Sequence, residues 1–284
     1  MGAKEPLIRN ISDTARWVAA YRARETERPN AVFRDPFARR LAGDRGEEIA
    51  KSMPYTGSTE WPFVARTYLY DEFVKSQVQK GADMVINLAA GLDARPYRMD
   101  LPASLKWIEV DLPGILDYKE EILANEKPHC QLERVRLNLS DVPARQKLFA
   151  ELGARSRNAL IMSEGLLIYL SPDEVGALAM DLAAPPSFQN WLADFGSPGL
   201  KEMLSKQMGE GLKHSGSEFK FAPAEGPPFF TRYGWKPSEI RSLIKAASKL
   251  KRLPFFLRLM AMLPESNGAQ GNRPWSAVCL LTRQ

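Results

Sequence analysis

The sequence predicts an α/β fold with a mainly parallel, doubly wound sheet. From residue 84 onward, predicted strands alternate with predicted helices, as they do in parallel sheets covered by helices. The first strand, residues 84–88, runs into the small residues Ala89, Ala90 and Gly91, which let a ligand lie against the backbone. Asp111 follows Gly91 by twenty positions, a spacing that suits an acid holding the ribose hydroxyls of a nucleoside.

Composition sets the broad class of the protein. The 284 residues are 44% hydrophobic and 26% charged, and 39 basic against 34 acidic side chains give a formal net charge of +5. Two distant cysteines fit a reducing compartment. The N-terminus lacks the apolar core of a signal peptide, and no apolar run reaches membrane-spanning length. We therefore expect a soluble, cytoplasmic protein that contacts neither membranes nor nucleic acid.

Helical patterns dominate the first eighty residues. Apolar residues recur at helical spacing over residues 11–24 and again over residues 63–79, where Lys80 and Gly81 end the pattern. Pro29 and Pro36 break the intervening chain into short pieces. Residues 1–80 are therefore predicted to form a helical cap, and residues 81–284 the sheet domain.

Further strands are predicted at residues 107–111, 134–139, 159–163, 190–195 and 275–282. The strand at residues 134–139, the third in chain order, is expected near a sheet edge because of its charges. Between them, a helix is expected after Pro113 and another over residues 144–152. Ser171, Pro172 and Glu174 form a helix start with a capping box. Residues 237–250 are predicted to be helical, with the basic run 245–252 as a solvated face. The mixed stretch 196–236 is predicted to be a lid or substrate wall.

Three blocks of sequence carry a family resemblance. They are NLAAGLDARPYR at residues 87–98, EVDLP at 109–113 and SEGLLIYL at 163–170. In this order they resemble the leucine carboxyl methyltransferase-like proteins, including the bacterial branch with polyketide-type O-methyltransferases. The likeness extends to FRDPFA at residues 33–38 and FTRYGW at 230–235. It implies a seven-stranded Rossmann-like class I methyltransferase fold with a helical cap and an inserted lid, and S-adenosylmethionine as cofactor.

The resemblance also implies roles for individual residues. Arg66 matches the arginine that holds the methionine carboxylate, and Ala89, Ala90 and Gly91 match the turn that packs against the cofactor. Asp111, with Leu112 beside it, matches the ribose-binding acid, and Asn138 and Leu139 match the pair beside the adenine. Glu164 matches the glutamate at the methionine end of the cofactor, and Tyr169 lies near the acceptor. This sequence departs from the common pattern at two positions: Ala89 replaces a frequent glycine, and Asn138 replaces the usual aspartate.

Each of these residues also has a purely structural interpretation. Arg66 could be a solvated helix arginine, and Asp111 could cap the helix that follows it. Glu164 could pair with Arg66 or Arg95, because a carboxylate directly after an apolar strand needs a partner. Tyr169 is equally compatible with core packing and with acceptor contact.

Two features of the predicted lid leave alternatives open. His214 could act as a base or could be a simple exposed histidine. An aromatic set could line an apolar acceptor pocket or could be ordinary core: Phe219, Phe221, Phe229, Phe230, Tyr233 and Trp235.

The resulting hypothesis is methyl transfer to a carboxylate, or to a hydroxyl, of a small molecule. A carboxylate acceptor needs no general base, which agrees with a chain that contains two histidines. Alternatives are a nucleotide-dependent oxidoreductase, whose turn would need the absent G-x-G-x-x-G spacing, and a cofactor-binding protein without turnover. An RNA methyltransferase is disfavoured by the lack of a basic stripe with interleaved aromatics. Neither the acceptor nor the oligomeric state is predicted.

Overall fold

The computed structural model of the protein describes residues 11–52, 60–213, 218–264 and 271–284. Three helices precede the sheet: α1 (Ile11–Thr26), α2 (Ala38–Ser52) and α3 (Trp61–Gln79). The strand–helix alternation then runs through β1 (Met84–Leu88), α4 (Arg95–Arg98), β2 (Lys106–Asp111), α5 (Pro113–Ile122), β3 (Gln131–Arg136), α6 (Val142–Ala154), β4 (Ala159–Ser163), α7 (Pro172–Ala183) and β5 (Phe188–Gly196). The last elements are α8 (Pro198–Lys213), β6 (Trp235–Ser242), α9 (Leu243–Lys249), α10 (Arg258–Ala261) and β7 (Ser276–Arg283).

The seven strands form one sheet in the order β3-β2-β1-β4-β5-β7-β6. Strands β1 to β5 are parallel to one another, and β7 is antiparallel to both β5 and β6. The chain order reverses between β1 and β4, which creates the switch point where open α/β sheets bind ligands. The predicted edge position of the third strand is confirmed.

Both faces of the sheet are buried because alternate side chains on each strand point in opposite directions. Met84, Ile86 and Leu88 of β1 pack in the core that includes α6 and α7. Val85 packs on the other face, in the core that includes α3 and α9. This burial on both faces explains why β1 is an unbroken apolar run rather than an alternating one.

Local signals in the sequence are confirmed at several element ends. Ser171 accepts a hydrogen bond from the Glu174 N–H, and the Glu174 carboxylate accepts one from the Ser171 N–H, as the capping box predicts. The helix 61–79 ends before Lys80. None of the described helices combines the length and the apolar character that crossing a membrane requires.

The helix predicted over residues 237–250 is wrong in its first part. Residues 235–242 form β6, and α9 begins only at Leu243. The sequence of β6 has neither the apolar run of a buried strand nor a regular alternation, because the strand lies at the sheet edge. Pro237 is tolerated at this edge, and the pairing register with β7 shifts between Pro237 and Glu239. Pairing with β7 therefore overrides the local pattern.

Candidate active site

A cavity of about 1100 Å³ lies at the carboxyl ends of the parallel strands. Its wall includes the turn after β1, the end of β2, the loops after β3 and β4, and the end of β5. Arg66 of α3 and Asp111 of β2 both contribute to this wall, although they come from separate elements. The position is the switch-point crevice of the sheet.

The turn after β1 uses two left-handed backbone conformations. Ala89 has a φ of 52° and Gly91 a φ of 50°. A left-handed conformation at a residue with a Cβ costs about 1–2 kcal/mol, so Ala89 is strained where a glycine would not be. Gly91 also lies under α1, because a Cβ at this position would stand 3.4 Å from the Cβ of Ala15.

Asp111 holds this turn through its side chain. Its Oδ2 accepts a hydrogen bond of 2.6 Å from the Gly91 N–H, and its Oδ1 accepts one of 2.7 Å from the Leu112 N–H. Burial raises the pKa of Asp111 above its ordinary value, partly offset by these two N–H donors. Asp111 does not cap α5, whose N-cap is Leu112 without a side-chain hydrogen bond. The capping interpretation is therefore wrong.

Glu164 lies between two arginines. Its Oε1 accepts from Arg66 Nε at 3.2 Å, and its Oε2 accepts from Arg95 Nη1 at 2.8 Å. Arg66 also donates from Nη1 to Asp194 Oδ2 at 3.3 Å. Arg66 is therefore no solvated helix arginine, and the predicted pairing of Glu164 involves both candidate arginines at once.

Arg66 and Asp93 keep their charges over the ordinary pH range. Burial by itself lowers the pKa of Arg66, but the carboxylates of Asp194 and Glu164 outweigh it and raise the pKa above its usual value. For Asp93, burial by itself raises the pKa, but the nearby cations, Arg95 first, bring the pKa down to about 2. Asp93 accepts from the Arg95 N–H at 2.9 Å, as aspartates in turns commonly do.

Tyr169 lies in a short 3₁₀ helix, Leu167–Tyr169, at the cavity wall. Burial raises the pKa of its phenol, partly offset by a hydrogen bond with Thr14 of α1. Its ring packs against Phe219, with ring centroids 5.9 Å apart. A neutral phenol therefore faces the cavity across the physiological pH range.

Asn138 and Leu139 occupy the loop after β3, also on the cavity wall. Asn138 Oδ1 accepts two hydrogen bonds from Ser140, one from its N–H at 3.0 Å and one from its hydroxyl at 2.8 Å. Arg145 fixes the next peptide by donating from Nη1 to the Leu139 carbonyl at 2.8 Å. The amide oxygen of Asn138 is thus already used by its own loop.

Residues 15–183 match the sequence profile of the family described as "Leucine carboxyl methyltransferase". The chain belongs to this family. The match contains the three sequence blocks, the cavity turn, Asp111 and Glu164, and so confirms the predicted resemblance.

Relatives and solved structures agree with this membership. A protein of Mycobacteroides abscessus, provisionally named as an S-adenosyl-L-methionine-dependent methyltransferase, is 34% identical over 191 residues, covering 62% of this chain and 62% of that protein. A relative of Parafrankia sp. with the same provisional name is 28% identical over 262 residues, covering 86% of this chain and 83% of its own length. A crystal structure of a DUF574 family protein from Streptomyces avermitilis superposes with a TM-score of 0.59 at 13% identity, covering 95% of this chain and 97% of that chain.

The predicted fold class is confirmed by this structural likeness, and the predicted family by the sequence profile. The names of the relatives agree with the predicted protein class and cofactor. The match to the first of these relatives spans 62% of that protein's length. The oxidoreductase alternative finds no support in these comparisons.

The structure shows one cavity-wall residue, Asp194, and one buried residue behind it, Tyr70, that the sequence interpretation missed. Asp194, at the end of β5, accepts from the Gly165 N–H at 2.7 Å as well as from Arg66. Tyr70 of α3 places its hydroxyl 3.0 Å from Asp194 Oδ1 and 2.8 Å from the Ser163 carbonyl. The signal for Asp194 was present, since it is the single acid of β5 and lies near the carboxyl end of that strand. Tyr70 is a buried helix residue with no such signal.

Helix α1 also contributes to the wall, through Thr14, Trp17 and Tyr21 among others. Trp17, Tyr21 and Phe63 form an aromatic cluster with tilted and edge-on ring contacts, with Trp17 and Phe63 ring centroids 5.0 Å apart. The helical residues before the sheet thus cover the cavity beside Tyr169 and Arg66.

Of the two alternatives left open for the aromatic set, core packing holds for most of its members. Only Phe219 of that set lines the cavity among the described residues. Phe221, Phe229, Phe230 and Trp235 are buried in the main core, where Trp191 packs against Phe230 and Trp235. The other end of the cavity is apolar through different residues: Phe195, Leu200, Met203, Leu204, Phe256, Leu257, Met260, Leu263 and Trp275.

His214 lies outside the described residues. His129, the other histidine, bonds through Nδ1 to the Met99 carbonyl at 2.7 Å and is not part of the cavity wall. Within the described ranges, no cluster of histidine, cysteine, aspartate or glutamate could hold a metal ion.

Proposed function

We propose that the protein transfers the methyl group of S-adenosylmethionine to an oxygen of a small-molecule acceptor, and that this oxygen belongs to a carboxylate. The observation that carries the proposal is the shared cavity of Arg66 and Asp111. Family membership supplies the methyl-transfer chemistry. The charge pattern of the cavity supports the choice of acceptor.

The donor and acceptor groups of the cavity fit the cofactor. Each oxygen of Asp111 accepts one backbone hydrogen bond and keeps a further lone pair for a ribose hydroxyl. Arg66 uses two of its five N–H donors on Glu164 and Asp194, which leaves three for a free carboxylate. Glu164 supplies negative charge near the ammonium and sulfonium groups. When bound, S-adenosylmethionine would present a methyl group already activated by its sulfonium.

Around this cofactor, the chain's own residues orient the partners and exclude water. Such positioning is the main requirement of an in-line methyl transfer. The apolar end of the cavity provides the water-excluding part. Tyr169 lies between the charged cluster and Phe219, where it is placed to contact the acceptor.

The described groups around Tyr169 are poor general bases, which favours a carboxylate over a hydroxyl acceptor. Glu164 and Asp194 are held in ion pairs with arginines. Burial raises the pKa of Tyr169, and of Tyr70 behind the wall, so neither is a phenolate at neutral pH. A carboxylate is ionised near pH 7 and can attack without losing a proton. A hydroxyl acceptor would need a base, and these four described groups do not supply one.

The proposal is tested first by calorimetry with S-adenosylhomocysteine and with NAD, using Asp111→Asn as the binding control. We expect S-adenosylhomocysteine to bind and NAD not to bind. Turnover is then followed as S-adenosylhomocysteine release with apolar carboxylic acids against matched phenols. Acid-dependent release supports the proposal. Binding without turnover on any acid or phenol would instead favour a cofactor-binding protein.

A further inference from the structure

Residues 254–264, here called the apolar segment, expose many apolar side chains to solvent. It contains the 3₁₀ helix Phe255–Leu257 and α10. Of the nine exposed large hydrophobic residues in the described part of the chain, six lie between residues 255 and 263. Phe255 is 83% exposed, Leu259 75% and Met262 79%. Single exposed apolar residues need no explanation, but a contiguous group marks an interaction surface.

The apolar segment has two sides. Phe256, Leu257, Met260 and Leu263 belong to the cavity wall. Phe255, Leu259 and Met262 do not, and they have the three highest exposures of the group. Because Phe256 is both 69% exposed and part of the wall, the segment lies where the cavity opens to solvent. Its outer side chains and its inner wall therefore form one continuous apolar surface.

Positive charge surrounds this surface. Residues 243–264 contain five basic side chains and no acidic one, an excess equal to the net charge of +5 of the whole chain. Arg252 is neutralised by Glu25 at 2.8 Å. Lys249, Lys251 and Arg258 are exposed, and none of the described carboxylates pairs with them. Arg258 lies beside the Phe255 ring, so cationic and apolar groups share one face.

We propose that the apolar segment is a membrane-docking segment that inserts Phe255, Leu259 and Met262 into the surface of a bilayer rich in anionic lipid. Apolar side chains next to a group of basic ones are what interfacial segments use, with burial of the former and electrostatic attraction of the latter. This departs from the expectation, drawn from the sequence, of a merely solvated basic face and no membrane contact.

The basic side chains beside the exposed apolar ones are the reason for choosing an anionic lipid surface over a protein partner. Continuity with the cavity agrees with this choice. A bilayer supplies amphiphilic molecules, whose apolar bodies could pass along Phe256 and Met260 without crossing water. The inference rests on the proposed function: if the acceptor is a carboxylate, membrane docking makes it a carboxylic acid with a long apolar body, taken directly from the bilayer.

The test is co-sedimentation of the whole protein with vesicles, without cofactor or acceptor. We use equal parts of phosphatidylglycerol and phosphatidylcholine against phosphatidylcholine alone. The wild type is expected to sediment with the anionic vesicles. Phe255→Ser/Leu259→Ser is expected to weaken partitioning about tenfold. Lys249→Gln/Lys251→Gln is expected to weaken it about 25-fold, at about fivefold for each lysine near the surface. None of these four residues contributes to the cavity wall.

Matched controls lie elsewhere on the surface. Met180→Ser removes an exposed apolar residue of α7, and Lys147→Gln an exposed cation of α6; both should leave partitioning unchanged. Failure of the wild type to sediment would overturn the proposal, as would full binding by Phe255→Ser/Leu259→Ser. A wild-type dimer that this double variant converts to a monomer in ultracentrifugation would assign the face to self-association instead. Because the assay needs no methyl transfer, its failure leaves the proposed function standing.

Discussion

The carboxylate of Asp111 accepts a hydrogen bond of 2.6 Å from the backbone N–H of Gly91, across twenty residues of sequence. One side chain at the end of β2 thereby fixes the turn at the end of β1. The same carboxylate keeps lone pairs directed at other donors. The acid at the end of β2 and the small-residue turn after β1 are consequently held in one fixed arrangement.

Replacing Asp111 should impair cofactor binding more than it impairs the fold. We expect Asp111→Asn to weaken S-adenosylhomocysteine binding by about 10- to 100-fold, since hydrogen bonds to a charged acceptor contribute about 1.5–3 kcal/mol. The single amide oxygen of asparagine can accept only one of the two backbone hydrogen bonds, so the variant should also lose about 1 kcal/mol of unfolding free energy. Calorimetry and chemical denaturation measure the two effects. Unchanged affinity in a folded variant would contradict a ligand-binding role.

The same carboxylate predicts how cofactor affinity depends on pH. Ribose hydroxyls donate to the ionised form, so binding favours loss of the proton. Affinity should be constant well above the raised pKa of Asp111 and should fall as pH drops through it. Titrations of the wild type and of Asp111→Asn over acidic pH check this, and the variant should lack this component of the pH dependence.

The rate of methyl transfer should be nearly independent of pH from about pH 6 to 9, because a carboxylate acceptor is ionised throughout. Glu164→Gln should raise the KM for S-adenosylmethionine yet leave the pH dependence of kcat unchanged. His214→Ala should also leave the pH dependence of kcat unchanged. Steady-state kinetics on an acid substrate give both quantities. A profile that falls at low pH and becomes flat in Glu164→Gln would identify Glu164 as a general base for a hydroxyl.

Gly165 should be needed for the position of Arg66. It has a φ of 68°, and a Cβ there would lie 3.1 Å from Arg66 Nη1. Gly81, with a φ of 94° and nothing within 4 Å of its Cβ position, is the matched control. Both alanine variants should lose about 1–2 kcal/mol of unfolding free energy from backbone strain. Only Gly165→Ala should also weaken S-adenosylhomocysteine binding in calorimetry, so equal affinities for both variants would argue against Arg66 as a ligand.

Asn138→Asp should tighten cofactor binding about tenfold. Ser140 already occupies the single amide oxygen of Asn138, whereas a carboxylate has a second oxygen for the adenine amino group. The ligand control is S-inosylhomocysteine, which carries an oxygen in place of that amino group. Calorimetry should show tighter binding of the adenosyl compound and weaker binding of the inosyl compound. Equal changes for both ligands would place Asn138 away from the adenine.

Much of the cavity floor was predictable because its signals are local. An apolar strand, a run of small residues and an acid at the next strand end lie within 28 residues, from Met84 to Asp111. Their physical meaning follows from backbone geometry and from the spacing of neighbouring parallel strands. The capping box at Ser171 is equally local, and the structure contains it as predicted.

The charged cluster required the tertiary structure. Arg66 meets Glu164 across 98 residues and Asp194 across 128. No spacing in a single sequence indicates such pairs, because they depend on how α3 packs across the ends of β4 and β5. For the same reason Glu164 was predicted to need a cationic partner, while the choice between Arg66 and Arg95 stayed open.

What the sequence alone determined is the strand–helix alternation from β1 to β5 and the place of the small-residue turn after β1, because hydrophobic periodicity and strand-end chemistry are encoded locally. Only the tertiary structure decided which aromatic residues are core and which line the cavity, that residues 235–242 form an edge strand, and that the outer apolar side chains of residues 254–264 remain in solvent. These outcomes depend on pairing and burial between distant segments. An apolar side chain has the same sequence signature whether it packs in the core, lines a cavity or faces a lipid surface.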